Sequence, residues 1–255
     1  MSYFNLPFIP ERESKPRNHG LTMVMDKGLS VREAEDMVSI AGEYIDFVKF
    51  GFGTSAITKP LKEKIAIYQQ AKIRPYFGGT LFEAFLARGM FDQFRKLLDE
   101  YKLDLAEISD GTLSIDHAEK CNYIQELSNQ LTVISEVGSK LADVEIPNER
   151  WIAMMKTELE AGSWKVIAEA RESGTIGIYK SDHSANTELI DGITHNVKIE
   201  NVIWEAPIKS QQAWFIKLLG ANVNLGNIAP TEVISLEALR LGLRGDTFFQ
   251  FLPKE

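Results

Sequence analysis

Apolar residues in this chain gather in eight short runs rich in strand formers: LTMVMD from Leu21, YIDFVKFGFG from Tyr44, IRPYFGGT from Ile73, LDLAEISDG from Leu103, LTVISEVG from Leu131, WKVIAEA from Trp164, NVIWEA from Asn201 and ANVNLGNIA from Ala221. Between them lie stretches with helical periodicity, such as SVREAEDMVSIAG, TLFEAFLARGMFDQFRKLLDEY, ERWIAMMKTELEAG, NTELIDGITHNV, SQQAWFIKLLG and TEVISLEALRLGL. Strands apolar on both faces, alternating with amphipathic helices, predict a parallel sheet covered by helices. Eight such units in about 250 residues predict an α/β protein with a single (β/α)8 TIM barrel over residues 1–255, preceded by an extension through about residue 17. An open doubly wound sheet is the competing arrangement. Against it, no G-x-G-x-x-G follows the first strand, and no repeat or low-complexity stretch marks a second domain. The longest irregular piece, Arg171 to Ser184, follows the sixth strand and is a candidate lid.

Acids interrupt four of the apolar runs: Glu107 in LDLAEISDG, Glu136 in LTVISEVGSK, Glu169 in WKVIAEARESG and Glu205 in NVIWEAP. A carboxylate inside a hydrophobic strand is costly unless it is paired or binds a metal. Side chains alternate along a strand, so Glu107 shares a face with Ser109, Glu136 with Gly138 and Lys140, and Glu169 with Arg171. In a TIM barrel the chemistry lies at the C-terminal strand ends, where these residues collect. Two or three such carboxylates, with Asp26 from the first strand, make an oxygen-rich site suited to Mg2+. The competing reading is that each Glu is a buried structural ion pair with Lys49, Lys140 or Arg171. Lys49, set among Phe47, Val48 and Phe50, is expected inside the barrel facing an anion. Gly78-Gly79-Thr80 opens a helix and suits a phosphate or carboxylate, as do Lys209-Ser210-Gln211-Gln212 after the seventh strand and Gly226-Asn227 after the eighth.

Composition narrows the class without naming the chemistry. With 44% hydrophobic and 25% charged residues the chain has the make-up of a globular protein. Its net charge of -8 argues against a general nucleic-acid or anionic-membrane binder. No run reaches the length of a membrane span, and residues 1–20 lack a signal-peptide core. Cys121 is the only cysteine, which excludes a disulfide framework and fits a reducing cytoplasm. His19, His117, His183 and His195 show no metal-ligand spacing, and no G-x-S-x-G elbow exists. What remains is a metal-assisted reaction on an anionic substrate with a lysine as acid or base.

The strings DKGL from Asp26, DFVKFGFGTSA from Asp46, GGTLFE from Gly78, EISDG from Glu107, EVGSK from Glu136, EARESG from Glu169, EAPIKSQQ from Glu205 and NLGNIAPTEVISLEALRLGLRGDTF from Asn224 resemble, in order and over nearly the whole chain, the phosphosulfolactate synthase family. That family is a (β/α)8 barrel that adds sulfite to phosphoenolpyruvate with Mg2+, giving (2R)-phospho-3-sulfolactate. The chain departs from the archaeal pattern in EARES, where EGRES is usual, and in its N-terminal extension. The resemblance implies Mg2+ on Glu107 and Glu136 with Asp26 or Glu169, charge neutralisation by Lys49 and Arg171, and protonation of carbon 2 by Lys140. Substrate or phosphate contacts are expected from Gly78, Gly79, Thr80, Ser109, Lys209, Ser210, Gln211, Asn224 and Gly226. Phosphoenolpyruvate and sulfite are the expected partners, with no nucleic acid and no membrane, in a homo-oligomer. The family is also similar to a plant heat-stress-associated protein, so a catalytically silent barrel is one alternative, and a lyase acting on another enol phosphate is a second.

Overall fold

A computed structural model describes residues 4–138 and 146–253. Eight parallel strands alternate with helices around a nearly closed barrel. The strands are β1 (Thr22–Asp26), β2 (Phe47–Phe50), β3 (Arg74–Phe77), β4 (Leu105–Ile108), β5 (Thr132–Val137), β6 (Lys165–Ala168), β7 (Val202–Glu205) and β8 (Leu225–Ile228). Hydrogen-bonded ladders run in the order β3-β2-β1-β8-β7-β6-β5-β4, and β3 lies against β4 to complete the circle. The helices are α1 (Val31–Ala41), α2 (Leu61–Gln70), α3 (Gly79–Leu86), α4 (Phe91–Glu100), α5 (His117–Ser128), α6 (Asn148–Glu160), α7 (Thr187–Asn196), α8 (Lys209–Leu219) and α9 (Val233–Arg240). The long helical stretch expected from Thr80 to Tyr101 is two helices. Gly89, with φ 65, turns the chain between α3 and α4 in a conformation that a side chain resists. No helix among the described residues is long and apolar enough to cross a membrane.

Strand alternation divides the core in two. Val24, Val48, Phe77, Ala106, Val133, Val166 and Trp204 point outward and pack under the helices. Leu21, Met23, Phe47, Tyr76, Leu105, Ile134, Ile167 and Ile203 fill the barrel interior. Two residues further along several of these strands the interior position becomes polar: Phe47 is followed by Lys49, Leu105 by Glu107, Ile134 by Glu136, Ile167 by Glu169 and Ile203 by Glu205. The barrel therefore has an apolar floor and an ionic layer one step above it, at the C-terminal strand ends.

Side chains close the β3–β4 seam where no ladder forms. At the lower end Arg74 Nε donates to Asp104 Oδ2 at 3.0 Å and Arg74 Nη2 to the Asp104 carbonyl at 2.8 Å. At the upper end the Gly79 N–H donates to Glu107 Oε1 at 2.6 Å. Glu83 on α3 accepts from the Thr112 and Leu113 N–H groups at 2.8 and 2.7 Å and from the Ser109 hydroxyl. The segment before β1 is tied to the barrel underside. Arg12 pairs with Glu237 at 2.8 Å, and buried Arg17 with Asp46 at 3.0 Å.

Candidate active site

Lys49 stands at the centre of the ionic layer. Its Nζ lies 3.0 Å from Glu107 Oε1, 3.2 Å from Glu136 Oε2 and 3.5 Å from Glu205 Oε1. All four side chains are buried. Burial alone would push the Lys49 pKa down, but Glu107, Glu136 and Glu205 outweigh it and hold the ammonium well above the ordinary lysine range. Lys49 is thus a fixed positive charge near neutral pH. Glu205 responds the opposite way: burial pushes it up to about 7, with Lys49 opposing and the Glu136 and Glu107 charges adding to the rise. Its Oε2 accepts the Ala170 N–H at 2.8 Å. Tyr76, on the neighbouring interior position, is raised well above an ordinary phenol by burial and then by the Glu107 charge, so it remains protonated.

Above this layer opens a cavity of about 540 Å³, lined by Met25, Lys49, Phe52, Thr80, Thr112, Glu136, Glu169, Ala170, Arg171, Glu172, Ser173, Glu205 and Asn227. The chain after β6 forms its far wall and is well anchored. Isolated bridges pair Ala170 with Gly177 and Tyr179 with Ala185, the Ile178 N–H donates to the Glu169 carbonyl at 3.0 Å, and the Tyr179 hydroxyl to the Glu205 carbonyl at 2.7 Å. An exposed Lys27–Glu172 ion pair joins this wall to the turn after β1. The segment Arg171 to Ser184, expected as a candidate lid, is in this structure a hydrogen-bonded wall with Arg171 in the cavity lining.

Lys49, Glu136, Glu169, Arg171 and Thr80 meet at the cavity, and Glu107 lies beside them in contact with Lys49. Gly78 and Gly79 serve close approach. A Cβ on Gly78 would lie 3.1 Å from Lys49 Cε, and one on Gly79 would overlap Ser109 Oγ. The Gly79 N–H at the α3 start, expected to hold a substrate anion, is taken by Glu107. Ser109 is likewise turned to Glu83. Gly226 leaves room between Met23, Ile203 and Glu205, where a Cβ would come within 2.7 Å of Met23 Cε. Lys140 lies outside the described residues.

Five expected site residues belong elsewhere. Asp26 ends β1 on the outward face, because Met23 and Met25 take the inward positions. Its Oδ2 lies 2.7 Å from Lys64 Nζ and accepts from Tyr68 at 2.8 Å, while Oδ1 accepts the Gly28 and Leu29 N–H groups at 2.9 Å. It is a buried structural anchor behind the sheet, not a ligand in the cavity. Asn224 sits low in the barrel, accepting from the Leu21 N–H at 3.1 Å and donating to the Glu200 and Val202 carbonyls. Lys209 is exposed and paired with Asp246 at 3.1 Å, and Ser210 beside it is exposed. Gln211 is buried behind the wall and donates to the Gly174 carbonyl at 3.0 Å.

Sequence reasoning marked Glu205 among the strand acids without assigning it a ligand role, and it passed over Lys120. Glu205 follows Ile203 by two, the same interior spacing that marks Glu107, Glu136 and Glu169, and its contact with Lys49 puts it in the same layer. Lys120 on α5 carried no comparable signal. Wholly buried outside the barrel, it donates to the Glu136 carbonyl at 2.6 Å and to Asp110 at 2.8 Å, and lies 2.7 Å from Glu158. It ties the Glu136 backbone to the loop after β4 and to α6.

The donor chemistry, carboxylate oxygens, is of the kind Mg2+ takes. Glu107 Oε2 is buried with no hydrogen-bond partner, and the cavity lining offers carboxylates but no imidazole or thiolate. Among the described residues no group of three or more His, Cys, Asp or Glu converges to hold an ion by itself. Mg2+ is commonly held by one or two carboxylates, with water and substrate oxygens completing its shell.

Comparisons with known proteins agree along the chain. The family model for (2R)-phospho-3-sulfolactate synthase matches residues 10–246. The phosphosulfolactate synthase of Bacillus subtilis is 42% identical over 252 residues, covering 98% of this chain and 100% of that protein. The phosphosulfolactate synthase of Methanocaldococcus jannaschii is 45% identical over 235 residues, 90% of this chain and 94% of that protein. Protein HEAT-STRESS-ASSOCIATED 32 of Arabidopsis thaliana is 22% identical, over 90% of this chain and 88% of that protein. Among solved structures, a 3-hexulose-6-phosphate synthase superposes with a TM-score of 0.58 at 10% identity, over 86% of this chain and 99% of that one, a likeness of fold alone.

Proposed function

The chain belongs to the (2R)-phospho-3-sulfolactate synthase family, and from that premise we propose that it is a Mg2+-dependent enzyme joining sulfite to phosphoenolpyruvate to give (2R)-phospho-3-sulfolactate. The observation that carries this reading is the placement of Lys49 among Glu107, Glu136 and Glu205 at the base of the cavity. Carboxylates massed under a cavity repel a phosphorylated acid. They become an asset when a divalent cation lies between them and the substrate carboxylate.

In the proposed reaction the sulfur lone pair forms a bond to carbon 3, the double-bond electrons move to the substrate carboxylate, and a proton is then added at carbon 2. No group leaves. Glu107 and Glu136, with Glu169, would hold Mg2+. When bound, it supplies Lewis-acid stabilisation of the charge growing on that carboxylate. Lys49, held in place by its carboxylate neighbours, would contribute a second positive charge already in position as the reaction proceeds. The carbon 2 proton is assigned to Lys140, the role the family resemblance gives it. To Arg171, which lines the cavity, we assign the substrate phosphate, for which a guanidinium is the suited partner.

The test is incubation of purified protein with phosphoenolpyruvate labelled with carbon-13 at carbon 3, together with sulfite and Mg2+, followed by NMR. The vinyl signal should be replaced by that of a saturated carbon bonded to sulfur, and a chelator should stop the conversion. An unchanged vinyl signal in the presence of Mg2+ would overturn the proposal.

A further inference from the structure

The turn after Lys49 carries a residue that its shape disfavours. Beyond β2 the chain reverses through Gly51–Thr54, closed by the Thr54 N–H on the Gly51 carbonyl at 3.0 Å and by the Thr54 hydroxyl on the same oxygen at 2.8 Å. Both central residues are left-handed, Phe52 at φ 54 and Gly53 at φ 65. Left-handed conformation at both central positions is the type I′ shape, dominated by Gly, Asn and Asp because a bulky side chain crowds the backbone there. Gly53 fits that preference and Phe52 does not.

Core packing does not account for the phenylalanine, which is 53% exposed. Its ring instead lines the mouth of the cavity, three residues beyond Lys49. Met25 Sδ occupies the place where a side chain on Gly51 would go, so the bulk of this segment at the mouth comes from Phe52. Met25, Phe52 and Ala170 form the apolar part of a lining that is otherwise mostly polar or charged. Backbone strain concentrates where a site needs a side chain that the local conformation resists.

We propose that Phe52 is a substrate-contacting specificity residue, its ring covering the bound enol phosphate at the mouth of the cavity. The inference rests on the reading that phosphoenolpyruvate binds there. The unsaturated CH2 at carbon 3 is the apolar end of that substrate, and Phe52, with Met25 packed under Gly51 beside it, is the apolar surface that suits it. A ring closing over it keeps water from the Lys49–carboxylate layer, which strengthens the charge interactions beneath, and limits the room for a substituent on carbon 3.

The test replaces Phe52 with residues the turn favours, Phe52→Gly and Phe52→Asn, and measures thermal midpoint and kinetics together. The midpoint should equal or exceed that of the wild type, while kcat/KM for phosphoenolpyruvate falls by about tenfold or more, the scale of a lost substrate contact. Preference for phosphoenolpyruvate over its 3-methyl analogue should narrow, and Phe52→Tyr should recover most of the loss. A Phe52→Gly enzyme within twofold of the wild type in kcat/KM would overturn the proposal, as would a loss of activity that merely follows a lowered midpoint. If the wild type itself forms no adduct, the reaction reading fails and this inference falls with it. If the wild type turns over and Phe52→Gly matches it, the inference alone fails.

Discussion

Lys49 Nζ lies 3.0 Å from Glu107 Oε1, and that same oxygen accepts the Gly79 N–H at 2.6 Å. One buried carboxylate thus joins the central ammonium to the start of α3 across the seam where β3 and β4 share no ladder. Removing the ammonium leaves Glu107, Glu136 and Glu205 facing one another in the interior. Lys49→Met should lower the unfolding free energy by about 3–5 kcal/mol, the usual cost of breaking a buried ion pair from one side. Chemical denaturation of the metal-free protein measures it, and a loss below about 1 kcal/mol would show that the carboxylates are satisfied without Lys49.

Glu205 makes stability depend on pH in a direction opposite to that of an ordinary paired carboxylate. Burial raises its folded pKa from 4.5 to about 7, so the folded chain holds this proton more tightly than the unfolded chain. The stabilising contribution is fully present below the unfolded value and is lost as pH rises through the folded one. Glu205→Gln cannot titrate. Its stability relative to the metal-free wild type should therefore improve as pH increases from about 4.5 to about 7 and level off above. A difference that stays flat across that window would refute the assignment.

Asp26 and Lys64 separate a structural role from a catalytic one. Their contact at 2.7 Å is wholly buried behind the sheet, with Tyr68 donating to the same carboxylate oxygen. Asp26→Ala should cost about 3–5 kcal/mol of stability, because it leaves a buried ammonium uncompensated. The fraction that remains folded should need the same Mg2+ concentration for half-maximal activity as the wild type. A large rise in that concentration would return Asp26 to the metal site.

Lys120 provides a comparable test from the other side of the barrel. Burial alone would lower its pKa, but Glu158 and Asp110 more than offset this and raise it above the ordinary lysine value. Its Nζ also fixes the Glu136 carbonyl at 2.6 Å. Lys120→Met should destabilise by about 3–5 kcal/mol, and the folded fraction should need more Mg2+ for half-maximal activity as Glu136 shifts. An unchanged Mg2+ requirement would limit Lys120 to stability alone.

Much of this arrangement is legible in the sequence because barrel strands obey a period of two. Once Phe47, Leu105, Ile134, Ile167 and Ile203 are placed inside, the ionic residues two positions later are placed with them. The period fails where a strand gives it no contrast. LTMVMD has only Thr22 to break its apolar run before Asp26, too little contrast to set the phase, and the inward Met25 turned Asp26 outward. Helix starts and loops have no such rule. Lys209, Ser210 and Gln211 follow the seventh strand as a phosphate site would, yet α8 aims them at Asp246, at solvent and at the back of the cavity wall. The partner of Gly79 was beyond sequence reasoning for the same reason, since it comes from a strand 28 residues away.

Mn2+ binding tests the central claim, that the buried carboxylates around Lys49 collect the cation through which the anionic substrate is held. Titration of the wild type followed by electron paramagnetic resonance should show one tight ion per chain, bound more tightly still when phosphoenolpyruvate is present. Glu107→Gln and Glu136→Gln should each weaken that binding by about tenfold or more and abolish the coupling to phosphoenolpyruvate, since each removes a charged oxygen ligand. If both variants bind Mn2+ and phosphoenolpyruvate as the wild type does, the carboxylates are structural partners of Lys49 and the cation is held elsewhere.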